Sequence, residues 1–359
     1  MKRITPIVVL RLAAIGAVLL TLTAGFAFAA GWLSPDRLSP QDIVESLQIH
    51  DGLHPGFRRA HAKGLCIAGT FQANGNGTVL SKAGVFTPGS VPVIGRLSTG
   101  GGQPYAPDGR LVFHAIALNL TQASGEQWRM AMDDTPIFVV ATPQAFRDFQ
   151  LATAPDPQTG QPDPVRMADF LVHHPETRAF MEWMRDAPLP SSFANGTYYS
   201  INAFRFTNAA GQTRLVRWSL VPETPFTALD KNTLASQPPD FLFDDVVQRL
   251  RQGPLRWHMI VTVAAPGDPV DDATKRWPDD RPQIDVGTLT IDRATTEEEG
   301  ACRNITFDPL ILPAGMASSD DPLLAARSAV YSVSLTRRDG EPAAPSAASK
   351  DPAIRGPRK

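Results

Sequence analysis

Apolar and polar positions along the chain change their period several times, and each change predicts an element. An uncharged, largely apolar run extends from Leu12 to Leu33, and about 20 such residues suffice to cross a bilayer. Ser39-Pro40-Gln41-Asp42 sets a capping serine, a proline and a carboxylate where a helix begins, and Asp51-Gly52 marks its end. Apolar and polar residues then alternate up to Phe71, as in a half-buried strand that also carries His61, and Asn74-Gly75-Asn76-Gly77 turns the chain. Further strands are expected at Ser90–Ser98, Leu111–Leu118 and Thr135–Val140. Thr142-Pro143 caps a helix with Phe146 and Phe149 on neighbouring turns, and a helical period from Asp163 to Arg185 breaks at His173-His174-Pro175. Asn202–Phe206 and Thr213–Leu220 form a hairpin around Asn208-Ala209-Ala210-Gly211. A helix at Phe241–Arg251 leads to strands at Trp257–Val263 and Ile284–Ile291, and Thr295–Gly300 reads as a solvated charged turn. Asp321 to Ala326 opens a last helix, and beyond Asp339 the chain is too poor in large apolar residues to order itself. The pattern alone gives a mixed, strand-rich fold.

Composition narrows the function classes. The chain has 359 residues and a formal charge of −2, which gives no reason to expect nucleic acid as a partner. Its 33 prolines suit long irregular connections. Cys66 and Cys302 lack metal-ligand spacing and read as buried free thiols; whether they could pair is left open by the sequence. Lys2, Arg3 and Arg11 precede the apolar run and orient it with the remainder exported. Ala27-Phe28-Ala29 would serve as a cleavage site, whereas the length of the run and Trp32 favour an uncleaved anchor. Either reading places the folded part outside the cytoplasm.

Two stretches carry candidate chemistry. Phe57 to Gly64 sets His61 among Arg58, Arg59 and Lys63. Far downstream, Arg327 and Tyr331 lie four residues apart in a helix-forming context, which puts guanidinium and phenol on one face. A fixed cation favours phenolate over phenol, whose usual pKa is about 10, and phenolate is a hard anionic ligand for ferric iron. By spacing alone Phe146 is a core residue, His114 a structural or pocket-lining one, and His173-His174 an exposed pair rather than a metal site.

With these residues in place the chain resembles the haem catalases, and more closely the single-domain catalase-related peroxidases, from about His54 to Ser334. The family pattern Arg-x-x-His-Ala-(Lys/Arg)-Gly is matched by Arg58 to Gly64, and Arg-Phe-Ser-Thr by Arg96-Leu97-Ser98-Thr99. Asn-Asn-Thr-Pro-(Ile/Val)-Phe appears as Asp133-Asp134-Thr135-Pro136-Ile137-Phe138, and the proximal Arg-x-x-x-Tyr as Arg327 to Tyr331. Phe307-Asp308-Pro309 with Pro313-Ala314-Gly315, and Val286-Gly287-Thr288-Leu289, are also similar to family runs.

The resemblance implies an α+β fold: a closed antiparallel β-barrel with flanking helices, lacking the C-terminal helical domain of large catalases. It implies residues 34–338 as the haem domain, while the apolar run gives 1–33 as signal peptide or membrane anchor and the composition gives 339–359 as a disordered tail. It further implies His61 as the distal acid–base residue, Ser98 as its orienting partner, and haem, most simply haem b, held by Arg58, Arg96, Phe146, Arg327 and Tyr331, with Tyr331 ligating the iron. Hydrogen peroxide and small organic reductants would be the partners, in a periplasmic protein that the N-terminal run could tether to the inner membrane. Asp133 departs from the family asparagine. An ionised carboxylate cannot donate a hydrogen bond to peroxide as an amide can, which points to peroxidase chemistry with weak catalase activity. A catalase-fold enzyme acting on fatty-acid hydroperoxides and a non-catalytic haem-binding protein are the alternatives.

Overall fold

A computed structural model of the chain describes residues 6–29, 37–110 and 113–348. The chain divides into two compact units, 1–39 and 40–359. Within the first unit, helix α1 (Pro6–Ala29) is apolar apart from Arg11 and two threonines, and its stretch Pro6–Phe28 is long and apolar enough to cross a membrane. Residues 30–36, which include the end of the expected span, lie outside the described residues.

The second unit begins with α2 (Pro40–Asp51), at the position its capping residues predict. Eight antiparallel strands then close a barrel: β1 (Gly64–Ala73), β2 (Gly89–Thr99), β3 (His114–Thr121), β4 (Gln127–Asp133), β5 (Tyr198–Tyr199), β6 (Thr213–Pro222), β7 (Leu255–Val263) and β8 (Gln283–Thr295). Each pairs with its neighbour in sequence, and β8 returns to pair with β1. Phe204–Thr207 and Met316–Ser318 extend the sheet beyond β6. Helices α3 (Pro143–Thr153), α4 (Pro164–His173), α5 (Thr177–Asp186), α6 (Phe241–Gln252) and α7 (Pro322–Asp339) complete the domain.

Alternation decides which way the strands face. In β4, Trp128, Met130 and Met132 are buried while Gln127, Arg129, Ala131 and Asp133 are partly exposed. The buried row joins Leu97, Ile116, Leu118, Trp257, Met259, Leu289 and Ile291 in one continuous core. Trp128 packs at ring-centroid distances of 5.7 Å from Phe86 and 5.1 Å from Trp218. An eight-stranded barrel is just wide enough for such side chains to fill, so functional groups are left to its outer face and its rim.

Two expectations fail here. Thr135–Val140 is not a strand. Pro136 has no N–H for a ladder, and the segment makes single bonds instead, from Phe138 N to Ala273 O (2.8 Å) and from Thr177 Oγ1 to Val139 O (2.9 Å). The strand is β4, just before it, whose alternation was readable in Gln127 to Asp133. Residues 340–348, expected to lack structure, contact the domain: Glu341 pairs with Arg59 and accepts from Gly56 N (2.7 Å), and Ala348 is fully buried. The rest of that expected tail lies outside the described residues, as do residues 111 and 112 of the expected third strand.

Candidate active site

One register row at the barrel rim assembles the distal residues. Gly64 faces Ser98, Ser98 faces Ala115, and Ala115 faces Asp133. Opposed residues in a sheet share a face, so Ser98 and Asp133 point the same way from strands that are not neighbours. His61 lies just ahead of β1, not inside a strand as its alternating context suggested, with φ of 53°. A non-glycine residue in the left-handed region costs about 1–3 kcal/mol. The bend turns its ring back over the row. Ser98 Oγ lies 3.4 Å from His61 Nδ1, Asp133 Oδ1 lies 3.9 Å from Nε2, and the Phe113 ring stands edge-on at 5.7 Å.

The environment inverts the usual order of protonation. Burial pushes the His61 pKa down to about 3, with Arg96, Arg327 and Arg58 acting in the same direction and a hydrogen bond to the Thr99 backbone opposing. Burial pushes Asp133 up to about 7; Asp134 adds to this and Arg327 works against it. Between these values the imidazole is neutral and the carboxyl keeps its proton. Environments that drive two titrating groups apart in this way assign acid and base roles.

A second row lies two residues further along the same strands: Cys66 faces Arg96, Arg96 faces Ala117, and Ala117 faces Ala131. Arg96 donates from Nη1 to His61 O (2.7 Å) and from Nη2 to Ala62 O (3.1 Å), and chelates Glu297 through Nε (2.8 Å) and Nη2 (2.9 Å). Its guanidinium lies over Gly64, where a Cβ would come within 2.2 Å of Arg96 Cζ, which explains the glycine ending that motif. Arg58 donates from Nη2 to the carbonyls of Cys302, Arg303 and Ile305, its Nε has no hydrogen bond, and burial lowers its pKa to about 9. The two cysteines form a disulfide instead of free thiols, because β1 sets Cys66 beside the segment carrying Cys302 at a Cα–Cα distance of 5.4 Å. The remaining cations of the motif are structural. Lys63 is buried against Asp108 (2.7 Å) and Asp240 (2.7 Å), and Arg59 pairs with Glu341.

The proximal side is built on α7. Asp321 caps the helix, accepting from Leu323 N (2.9 Å), and also accepts from Asn202 Nδ2 (2.7 Å). Asn202 Oδ1 in turn accepts from Arg327 Nη1, and Arg327 Nη2 reaches Ala131 O (3.1 Å) and Tyr331 Oη (3.5 Å). Burial alone would lower the pKa of Arg327, but Tyr331, Asp133 and Asp321 outweigh it and raise it. Arg327 therefore stays a fixed cation beside the phenol. Phe146 sits apart from both groups, stacked on Phe138 at 5.6 Å and in the cluster with Phe149 and Phe170. Phe138 also packs against the small cluster of Ile201, Ala273 and Leu323. His114 is structural: its backbone N–H donates to Asp134 Oδ1 (2.9 Å), and its ring Nδ1 lies 3.2 Å from Asp134 Oδ2 without a hydrogen bond. His173 and His174 pair with Asp169 and Glu176 on the surface, and no group of metal-binding residues occurs among the described residues.

Sequence reasoning missed Glu297 and Asn202. Glu297 belongs to the turn read as solvated, yet it is enclosed by arginines that hold its carboxyl below the ordinary range even though burial alone would raise it. Asn202 had no signal, since its role depends on where α7 docks.

Comparison with known proteins decides the family. The family model for catalase matches residues 30–343. The chain belongs to the catalase family. It is 36% identical over 320 residues to a catalase-related peroxidase of Synechococcus elongatus, covering 89% of this chain and 94% of that one. It is 33% identical to a catalase-related peroxidase of Mycolicibacterium paratuberculosis, covering 84% and 96%. Against a catalase of Pseudomonas syringae the identity is 28%, and the chain spans only 60% of that enzyme. A solved bacterial catalase shares the fold at a TM-score of 0.70 and 23% identity, covering 79% of this chain and 58% of that one.

Catalase-family membership implies haem, and the residues fit it. The row that holds Ser98 and Asp133 carries only Ala115 between them. The side chains of His61 and Asp133 remain 28% and 17% exposed although surrounded by protein. The unpartnered Arg58 Nε suits a group bearing carboxylates. Arg96 fits less fully: four of its five N–H donors already have acceptors, which leaves one for such a carboxylate.

Proposed function

We propose that this catalase-family protein reduces hydrogen peroxide at the expense of a small organic donor and dismutates peroxide only slowly. One observation carries the reading: a neutral His61 held 3.9 Å from Asp133, a carboxyl that loses its proton, and with it its hydrogen-bond donor, as pH rises through about 7. The haem would supply the iron and the redox equivalents, with Tyr331 as its ligand and Arg327 stabilising the phenolate. Haem b is the form favoured, because both cysteines of the chain are engaged in a disulfide and leave no thiol for covalent attachment. His61 Nε2 accepts the proton from one peroxide oxygen and delivers it to the other, so that the departing group leaves as water. Ser98 at Nδ1 holds the ring in place. Asp133 donates a hydrogen bond only while protonated, so support for a second peroxide fades as pH rises through about 7.

The test is purified protein loaded with haem, with oxygen release and oxidation of a phenolic donor measured side by side. Donor oxidation is expected to dominate above about pH 7, where the Asp133 proton is lost. Oxygen release that dominates at every pH would make the protein a catalase in practice. Helix α1 supports export and tethering at the outer face of the inner membrane. A reporter active only outside the cytoplasm, fused after Arg338, should be active, and activity confined to the cytoplasm would reverse that reading. A membrane tether also favours a second class of acceptor, lipid hydroperoxides, tested in the same assay by replacing hydrogen peroxide.

A further inference from the structure

The left-handed backbone of His61 is an unfavourable conformation that something must maintain, and hydrogen bonds on either side of it do so. Arg96 donates to the carbonyls of His61 (2.7 Å) and Ala62 (3.1 Å), and Ala62 N donates to Gly101 O (3.0 Å). Arg96 reaches those carbonyls in a fixed orientation because Glu297 chelates its other edge at 2.8 and 2.9 Å. Bidentate pairing of this kind fixes a guanidinium plane as well as its position. Glu297 Oε1 also lies 3.8 Å from the otherwise unpartnered Nε of Arg58. The turn bearing Glu297 is secured from behind: Cys302 is bonded to Cys66, which faces Arg96 on one side and Thr295 on the other.

We propose that Glu297 is a positioning residue for the acid–base work of His61, acting through Arg96. It does so in two ways. It orients the guanidinium that keeps the His61 backbone bent over the Ser98–Asp133 row. It also offsets the charge of Arg58 and Arg96, which otherwise makes the imidazole a poorer proton acceptor. Without the carboxylate, both cations act on His61 undiminished and Arg96 is free to turn away from the two carbonyls. The proposal rests on the peroxidase reading above, because it assumes that His61 carries protons.

The test uses the full-length haem protein and cyanide as probe. Hydrogen cyanide must give up its proton on the distal side to bind ferric haem, so its association rate, read in the Soret band, reports the base without any turnover. Glu297→Gln should slow cyanide association and peroxide consumption alike, on the order of tenfold to a hundredfold, as expected when a supporting partner is lost. KM for the donor should hold, and Glu297→Asp should recover part of the loss. Amide exchange at Ala62 should quicken in Glu297→Gln. Glu298→Gln, at the exposed acid one residue on, serves as control and should match wild type. If wild type consumes peroxide while Glu297→Gln keeps wild-type cyanide association and wild-type exchange at Ala62, the positioning role is refuted and the peroxidase reading stands. A variant that melts earlier but binds cyanide normally also refutes it, since Glu297 would then be only structural. If wild type itself neither consumes peroxide nor oxidises donor, the peroxidase reading fails and takes this proposal with it.

Discussion

His61, Ser98 and Asp133 reach one another from separate strand ends, whereas Arg327 and Tyr331 stand one turn apart on a single helix. The two halves of the site also handle charge differently. On the distal side the aim is neutrality: burial and nearby arginines keep the imidazole without a proton, while burial keeps the carboxyl protonated against the pull of Arg327. On the proximal side the aim is a retained charge, with Asp321, Asn202 and Arg327 linked in series behind the phenol. A proton carrier has to be ready to change state, so it is best poised neutral. In the proposed role of Tyr331 as iron ligand, a neighbouring cation that cannot be titrated away is what the phenol oxygen needs. The contrast teaches that similar burial can serve a switchable group or a permanent one, depending on which partners it meets.

Three substitutions test that contrast, from the largest effect downward. Tyr331→Phe removes the phenol oxygen proposed to hold the iron and should abolish haem retention, or shift the ferric spectrum outright where haem is retained by excess cofactor. An unaltered spectrum at full haem content would show that another residue ligates iron and that the proximal half is misassigned. His61→Ala should keep its haem yet lose about a hundredfold or more of its peroxide consumption, the scale of a positioned proton carrier. Equal losses of haem and rate would erase the division of labour between the halves.

The third substitution is Asp133→Asn, and its sign depends on pH. The carboxyl titrates near 7 and can donate a hydrogen bond only in its acid form. Its donor capacity is thus nearly complete at pH 6 and about tenfold lower at pH 8. His61, held near 3, does not titrate in that window. The ratio of oxygen release to donor oxidation should therefore fall with rising pH in wild type. In Asp133→Asn it should stay level and exceed wild type by up to about tenfold at pH 8. A wild-type ratio independent of pH would remove Asp133 from the distal chemistry.

Much of the fold and half of the site were legible from local pattern. Ser39-Pro40, Thr142-Pro143 and Asp321-Pro322 mark helix starts that the structure keeps, because capping involves residues within one turn of each other. Arg327 and Tyr331 meet on one helix face for the same reason. Strand Gln127–Asp133 alternates too, but the strand is expected from the sequence at the apolar run Thr135–Val140 instead.

The sequence by itself thus determined whatever depends on neighbours along the chain: helix limits, strand faces, the i,i+4 guanidinium and phenol, and the motifs that mark the family. Only the tertiary structure decided what depends on register and closure. It alone brought Cys66 to Cys302 across 236 residues. It turned a charged surface-like turn inward so that Glu297 grips Arg96, and it enclosed His61 and Asp133 together so that their protonation order reverses. The physical reason is that a side chain's charge state and partners follow from the dielectric and the groups within a few ångströms. In a closed barrel those groups come from strands far apart in the chain.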